Sequence, residues 1–188
     1  MKVFDFDNTL YHGESSIDFA LFLIKNNKRI ILWLPTIFWN LIKYKLCLVS
    51  RNKMERTIND FLKVIITDKS DLLRMAELFW SKHEKKLDHE LISRIESDDV
   101  IITAGPEFLI EAIKAKLGTS HLLCSQIDYE NKSIICLNFG DNKVRRYRGL
   151  YGGSNIDAFY TDSYNDKALM EISHRVFLVH KGKVRQIK

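Results

Sequence analysis

A chain of 188 residues, 46% hydrophobic and 28% charged, is long enough for one compact domain or a core with an inserted lobe. With only 8 Gly and 2 Pro it is neither fibrous, disordered nor of low complexity. Lys and Arg outnumber Asp and Glu by 29 to 24, a formal charge of +5 that favours an anionic partner, but the basic residues are dispersed rather than gathered into a tail. Cys47, Cys124 and Cys136 are widely spaced and odd in number, which excludes a paired zinc motif or a disulfide framework and points to the reducing cytosol. The first residues, Met1 to Phe4, meet Asp5 and Asp7 at once, so they read as a structural strand rather than a secretory leader.

That strand is expected over Lys2 to Phe6, and helical periodicity then runs from Ser16 to about Arg94. The spacing predicts helices at Ser16 to Asn26, Arg29 to Lys45, Asn52 to Ile66, and Ser70 to Ile95 with a break near Asp88; Ser70 followed by Asp71 reads as an N-cap. The second of these contains Ile30 to Val49, nearly apolar over its first thirteen residues. A membrane-spanning helix needs about 20 apolar residues. Asn40, Lys43 and Lys45 interrupt this one, so a helix buried in a small lobe is the expectation and an interface-seeking helix the alternative.

The period then changes. Val100 to Ile102 reads as a strand, Gly105 as a turn, Pro106 as the first residue of a helix that closes at Gly118, and His121 to Cys124 as another strand. Gln126 to Tyr129 and Ser133 to Leu137 pair as a hairpin, followed by a short helix over Asp141 to Arg148 and a loop holding Gly149, Gly152 and Gly153. Strand Ala158 to Thr161, helix Tyr164 to Ile172 and strand Val176 to Val179 complete the order. Strands alternating with helices around a helical insertion imply a parallel α/β sheet whose first crossover carries an extra lobe.

Chemistry concentrates where strands end. In an extended strand Asp5 and Asp7 share one face while Phe4 and Phe6 serve the other, although Asp7-Asn8-Thr9 also fits an ordinary capped turn. Asp162 and Asp166, four apart at a helix start, share a face in the same way, and acids there also complement the helix dipole. Neighbouring strand ends would gather these carboxylates, and like charges about 4 Å apart repel by roughly 4 kcal/mol at an effective dielectric of 20, so the cluster implies a cation. Oxygen donors without cysteine or histidine select magnesium over zinc. Thr103, with the amides of Ala104 and Gly105, faces a potential phosphate, and Lys143 can set a point charge among the acids; a helix cap and a solvated lysine are the plainer alternatives.

Taken in order, these residues resemble the haloacid dehalogenase (HAD) superfamily: Asp5-Phe6-Asp7-Asn8-Thr9-Leu10 its first motif, Thr103 its second, Lys143 its third, and Asp162 with Asp166 its fourth. The likeness covers nearly the whole chain and is closest to the phosphoserine-phosphatase-like subfamily IB, with Gly140-Asp141-Asn142-Lys143 as its glycine-then-lysine motif. It departs at Thr161, where glycine is usual, and at Asn8, where glycine or serine is commoner. The resemblance implies an α/β, HAD-like (Rossmann-like) parallel sheet core with a helical type 1 cap inserted after the first strand, the core spanning 1–13 and 97–188 and the cap 14–96. It further implies a magnesium-dependent phosphatase in which Asp5 is the nucleophile and Asp7 the acid and base. Asp5, the Asp7 carbonyl and Asp162 would hold Mg2+, Thr103, Ala104, Gly105 and Lys143 would bind phosphate, and Asp166 would orient Lys143 or metal-bound water.

Glu14, Arg51 and Arg56 are candidate contacts to the rest of the substrate, Glu14 because related phosphoserine phosphatases place a glutamate there; solvated side chains are the plainer expectation for all three. The run Lys143, Arg145, Arg146, Arg148 does not share one helical face, so no nucleic acid is expected as a partner. The expected partner is a small phosphorylated substrate and the expected location cytoplasmic, with peripheral membrane contact through Ile30 to Val49, phosphoryl transfer to another acceptor and a basic nucleic-acid module kept as alternatives. The six histidines form no ligand spacing.

Overall fold

The computed structural model describes residues 1–26, 50–153 and 155–188, together with Leu32, Pro35 and Trp39. A seven-stranded sheet is assembled from β1 (Lys2–Phe4), β2 (Val100–Pro106), β3 (His121–Asp128), β4 (Ser133–Cys136), β5 (Ile156–Thr161), β6 (Ser173–His180) and β7 (Lys183–Gln186), in the order β4-β3-β2-β1-β5-β6-β7. The five inner strands are parallel, and β4 and β7 close the edges antiparallel. Parallel strands must be covered on both faces. Two separate buried clusters do this, one built on Phe4, Phe6, Ile101 and Ala158, the other on Val3, Val100, Ile102 and Phe159, so alternate residues of each strand serve opposite sides.

Between β1 and β2 come α1 (Ser15–Asn26), α2 (Arg51–Ile65), α3 (Lys69–His83) and the single turn α4 (His89–Ile92). Their apolar faces do not form a core of their own. Phe19, Phe22, Leu62, Phe79 and Trp80 belong to the same cluster as Phe6, Phe108, Leu109 and Ile127 of the sheet layer, which includes α5 (Glu107–Glu111). The two linkers into this insertion are tied to each other, His12 N–H donating to the Lys86 carbonyl and Asp88 N–H to the Leu10 carbonyl, each at 2.8 Å. Across them the Tyr11 hydroxyl and the Lys86 ammonium both reach Asp18 Oδ2 at 2.7 Å. On the other face lie α6 (Asp141–Tyr151) and α7 (Lys167–Glu171), which contribute Val144, Tyr147, Leu169 and Met170. Among the described residues no helix is long and apolar enough to cross a membrane.

Several local expectations are corrected. The first strand stops at Phe4; Asp5 N–H still pairs with the Tyr160 carbonyl, but the Phe6 carbonyl then accepts three turn hydrogen bonds from Thr9, Leu10 and Tyr11, so Asp7 lies in the turn and does not share a strand face with Asp5. Asp68, not Ser70, caps α3, its carboxylate accepting from Ser70 N–H. The helical stretch expected from Ser70 to Ile95 does break near Asp88, although earlier than expected: α3 ends at His83, a 3-10 turn follows, and Asp88 caps the single turn α4. Pro106 is the residue before α5 rather than its first, and α6 runs through Gly149 to end at Gly152, whose φ of 65° is the left-handed cap that glycine favours. Tyr164 to Asp166 form a 3-10 turn before α7, so Asp162 and Asp166 do not share a helix face. β7 has no apolar period, all four of its residues being exposed, and was not expected. The helix expected at Arg29 to Lys45 and the apolar run Ile30 to Val49 lie outside the described residues apart from Leu32, Pro35 and Trp39.

Candidate active site

From β1 the chain order steps to β2 and β3 on one side, then returns to β5 and β6 on the other, so the switch point lies between β1 and β5. Open α/β sheets bind ligands outside the carboxyl ends of strands at such a point. Asp5 leaves β1 there. Its N–H donates to the Tyr160 carbonyl at 2.8 Å, extending the pairing by one residue and bringing it beside the end of β5, where Asp162 follows. Asp5 Oδ1 accepts from Phe6 N–H at 2.9 Å and from Lys143 Nζ at 2.9 Å. Its other oxygen makes no hydrogen bond among the described residues.

Lys143 comes from the first turn of α6, on the far side of the sheet order, and is buried. Its ammonium bridges Asp5 Oδ1 and Asp166 Oδ2, the latter at 3.0 Å. Burial disfavours that charge, but the two carboxylates outweigh it and hold the lysine above its usual pKa. The Asp5 carboxyl is pushed well above the ordinary carboxylate range, first by burial and then by the like charges of Asp166 and Asp162, with Lys143 opposing. One ammonium against this set of acids leaves negative charge in excess. A hard divalent cation fits it, since the donors are carboxylate and carbonyl oxygens and no cysteine or histidine stands among them.

The departure at Thr161 has a structural reason. Its buried hydroxyl donates to Asp166 Oδ2 at 3.2 Å and accepts from Ser163 N–H at 3.2 Å, shaping the turn that returns Asp166 to Lys143. Asn8 has a φ of 57°, a left-handed conformation asparagine tolerates better than other side chains, and its amide donates to Glu14 Oε1 at 3.0 Å. Asp7 Oδ1 accepts from Ser15 N–H at 2.7 Å, so the carboxylate sits at the N-terminus of α1. Thr103 is buried midway along β2, where its regular pairing with β3 stops, and its Oγ1 accepts from Gly105 N–H at 2.9 Å.

The structure thus brings together Asp5, Lys143 and Asp166 by direct contact, with Asp162 beside Asp5. Arg51 only opens α2, and Arg56 is exposed on that helix. Arg146 turns onto the Cys124 carbonyl while Arg145 and Arg148 face solvent, so these arginines form no continuous patch. A separate acidic group, Glu96, Asp98 and Asp99, lies at the opposite end of the strands. Lys2 and the N–H groups of Lys2 and Glu96 already bond Asp99 or Glu96 there. Sequence reasoning missed Asn138 and Ser125, two buried polar residues behind Thr103; the one signal was Asn138 breaking the apolar run before Gly140.

A parallel sheet with acids at its switch point and a buried lysine among them suits an enzyme of phosphate chemistry. The chain belongs to the haloacid dehalogenase-like hydrolase family, whose model matches residues 3–171. No curated protein matches it by sequence. Among solved structures it is similar to a protein of unknown function from Bordetella pertussis Tohama I, with TM-score 0.76 and 19% identity over 94% of this chain and 87% of that one. A phosphoserine phosphohydrolase-like protein from Francisella tularensis subsp. tularensis SCHU S4 gives TM-score 0.62 and 18% identity over 94% and 86% of the two chains. A phospho-aspartyl intermediate analogue of phosphoserine phosphatase gives 0.57 and 14% over 93% and 83%. At these identities the likeness is one of fold.

Proposed function

We propose that the protein is a magnesium-dependent phosphomonoester hydrolase that works through an aspartyl-phosphate, with residues 1–13 and 97–188 as the catalytic core and 14–96 as the cap that selects the substrate. The observation that carries this reading is Lys143 bridging Asp5 and Asp166 at the switch point of the sheet. A carboxylate with one oxygen anchored and the other free of hydrogen bonds suits a nucleophile. Asp5 would attack phosphorus, forming a P–O bond as the bond to the leaving alkoxide breaks, and Asp7 would give that alkoxide its proton. Asp7 would then take a proton from water as the water oxygen attacks phosphorus, releasing inorganic phosphate and restoring the Asp5 carboxylate. Thr103, the Ala104 amide and Lys143 would hold the phosphoryl oxygens, with Asp166 orienting Lys143; the Gly105 amide, also expected there, is instead taken by Thr103 Oγ1. Asp5, the Asp7 carbonyl and Asp162 would hold Mg2+, which when bound supplies neutralisation of the phosphoryl charge.

Glu14, fixed by Asn8 beside the entry to α1, is the cap-side residue best placed to meet the leaving group, with Arg51 and Arg56 further along the cap as a second pair. The test is turnover of a panel of amino-acid, sugar, nucleotide and lipid phosphates with magnesium and with EDTA. Release of inorganic phosphate from at least one class, abolished by EDTA, is expected; no release from any class would remove the reading, and transfer to an added alcohol faster than to water would make the enzyme a phosphotransferase. A lipid or amphiphilic phosphate is the alternative substrate class, in keeping with the exposure of Leu32, 80%, and Trp39, 58%, on the cap. Flotation of the full chain with phosphatidylcholine and phosphatidylserine vesicles, lost in Trp39→Ser, would support that class. Protein remaining in the unbound fraction would eliminate it.

A further inference from the structure

Thr103-Ala104-Gly105 form an irregular loop within β2. β2 and β3 pair in register through Ile102 and Leu123, the pairing then shifts, and the next matched residues are Pro106 and Ser125. A loop that must present amides to an anion cannot also keep a regular ladder, and its backbone needs other partners. Two buried side chains outside the recognised motifs provide them. The Asn138 amide donates to the Thr103 carbonyl at 3.0 Å and to the Leu123 carbonyl at 2.7 Å, spanning both strands at the irregularity. The Ser125 hydroxyl donates to the Ala104 carbonyl at 2.7 Å and accepts from Asn138 N–H at 2.9 Å.

In a trans peptide the carbonyl and the following N–H point in opposite directions, so fixing one fixes the other. Holding the Thr103 carbonyl aims Ala104 N–H away from Asn138. Holding the Ala104 carbonyl aims Gly105 N–H away from Ser125 and onto Thr103 Oγ1, which it meets at 2.9 Å. The loop is close-packed there, since a Cβ on Gly105 would come within 3.3 Å of that same oxygen. Asn138 is fully buried, yet its Oδ1 has no hydrogen-bond partner, so the side chain loses solvation at its acceptor and gains only through its donors. An apolar side chain would fill the space without that loss.

We propose that Asn138, together with Ser125, is a positioning residue that sets the Ala104 amide and the Thr103 hydroxyl for a phosphoryl group, an inference that rests on the phosphomonoesterase reading. It touches neither substrate nor metal and acts through the loop. The test is calorimetric titration of inorganic phosphate, in magnesium, into the full chain and into Asn138→Leu, Ser125→Ala, Thr103→Ala and the Asn138→Leu/Thr103→Ala double variant. Asn138→Leu keeps the volume apolar and removes both donors, and should weaken phosphate by about tenfold, the size of one net hydrogen bond. In the double variant the further loss beyond Thr103→Ala should be clearly smaller than the loss in the wild-type background, because the hydroxyl that the brace positions is gone while the Ala104 amide remains.

A merely structural role would instead give additive losses, which would overturn the inference, as would unchanged phosphate binding in Asn138→Leu. Should Asn138→Leu not fold, Ser125→Ala decides by the same criterion with its own Thr103→Ala double variant. Wild-type protein that neither binds phosphate nor hydrolyses any ester would remove the enzymatic reading and this inference with it. Wild-type binding with indifferent variants removes the inference alone.

Discussion

Lys143 is shared between two carboxylates, and the consequence at Asp5 is testable residue by residue. Asp5→Asn keeps the volume and leaves an amide oxygen for Lys143 Nζ and Phe6 N–H, while removing the proposed nucleophile and one of the like charges gathered with Asp162 and Asp166. Turnover should fall by about a thousandfold or more with the folded state retained, measured by phosphate release and thermal melting; activity near wild type would refute the nucleophile. Asn8 separates conformation from contact. Its φ of 57° costs a residue with Cβ about 1–2 kcal/mol, a penalty asparagine largely escapes, so Asn8→Ala should lower the urea-unfolding free energy by about 1 kcal/mol and Asn8→Gly by much less. Equal losses would place the cost in the bond to Glu14 instead. Asp5, Thr103 and Asp162 could be singled out in the sequence because each ends or follows an apolar run, whereas Lys143 and Asp166 stand out only through their place in the order of motifs. Asn138, Ser125 and the hydroxyl of Thr161 could not, since a single polar side chain in a turn carries no period and its partners are distant in sequence.

At the scale of elements, apolar runs located β1, β2, β3, β5 and β6, and helical spacing located α1 to α3, because burial on both sheet faces and on one helix stripe writes itself into period. What failed was the geometry of ends. Asp162 and Asp166 looked like one helical face, but a 3-10 turn intervenes, and it is the Thr161 hydroxyl that returns Asp166 to the site. β7 was invisible because an exposed edge strand of Lys, Val, Arg and Gln needs no apolar pattern. The junction between α3 and α5 gives a test of element packing away from the chemistry. Trp80 Nε1 donates to the Leu109 carbonyl at 2.6 Å, and its ring meets Phe6 and Tyr11 edge-on. α5 is only five residues long, so this carbonyl gets from the indole what a longer helix would supply. Trp80→Phe leaves it buried and unpaired and should cost about 2 kcal/mol of stability by urea unfolding, with turnover within about twofold of wild type. A change under about 0.5 kcal/mol would show that the bond contributes little.

Across the whole molecule, the boundary between cap and core in sequence is not a boundary in burial. One cluster runs from Phe19, Phe22 and Leu62 of the insertion through Phe79 and Trp80 to Phe108, Leu109 and Ile127 beside the sheet. The Ile134 N–H on the edge strand β4 donates to Asn59 Oδ1 of α2 at 2.8 Å, and the Lys69 ammonium lies 4.4 Å from the centre of the Tyr129 ring. Removing the insertion would expose the apolar face of β1 and α5, at about 25 cal/mol per Å² of surface uncovered. A lobe tied down in this way does not unfold alone, so insertion and sheet should melt in a single transition. All three tryptophans, Trp33, Trp39 and Trp80, fall within residues 14–96, so their fluorescence reports on the insertion, whereas hydrogen-exchange protection of peptides covering β5 and β6 reports on the sheet. In a urea titration the two midpoints should coincide. A fluorescence transition completed while β5 and β6 are still protected would mean that the insertion opens as an independent unit, and the shared cluster would then not be what couples the insertion to the strands that lead to Asp5 and Asp162.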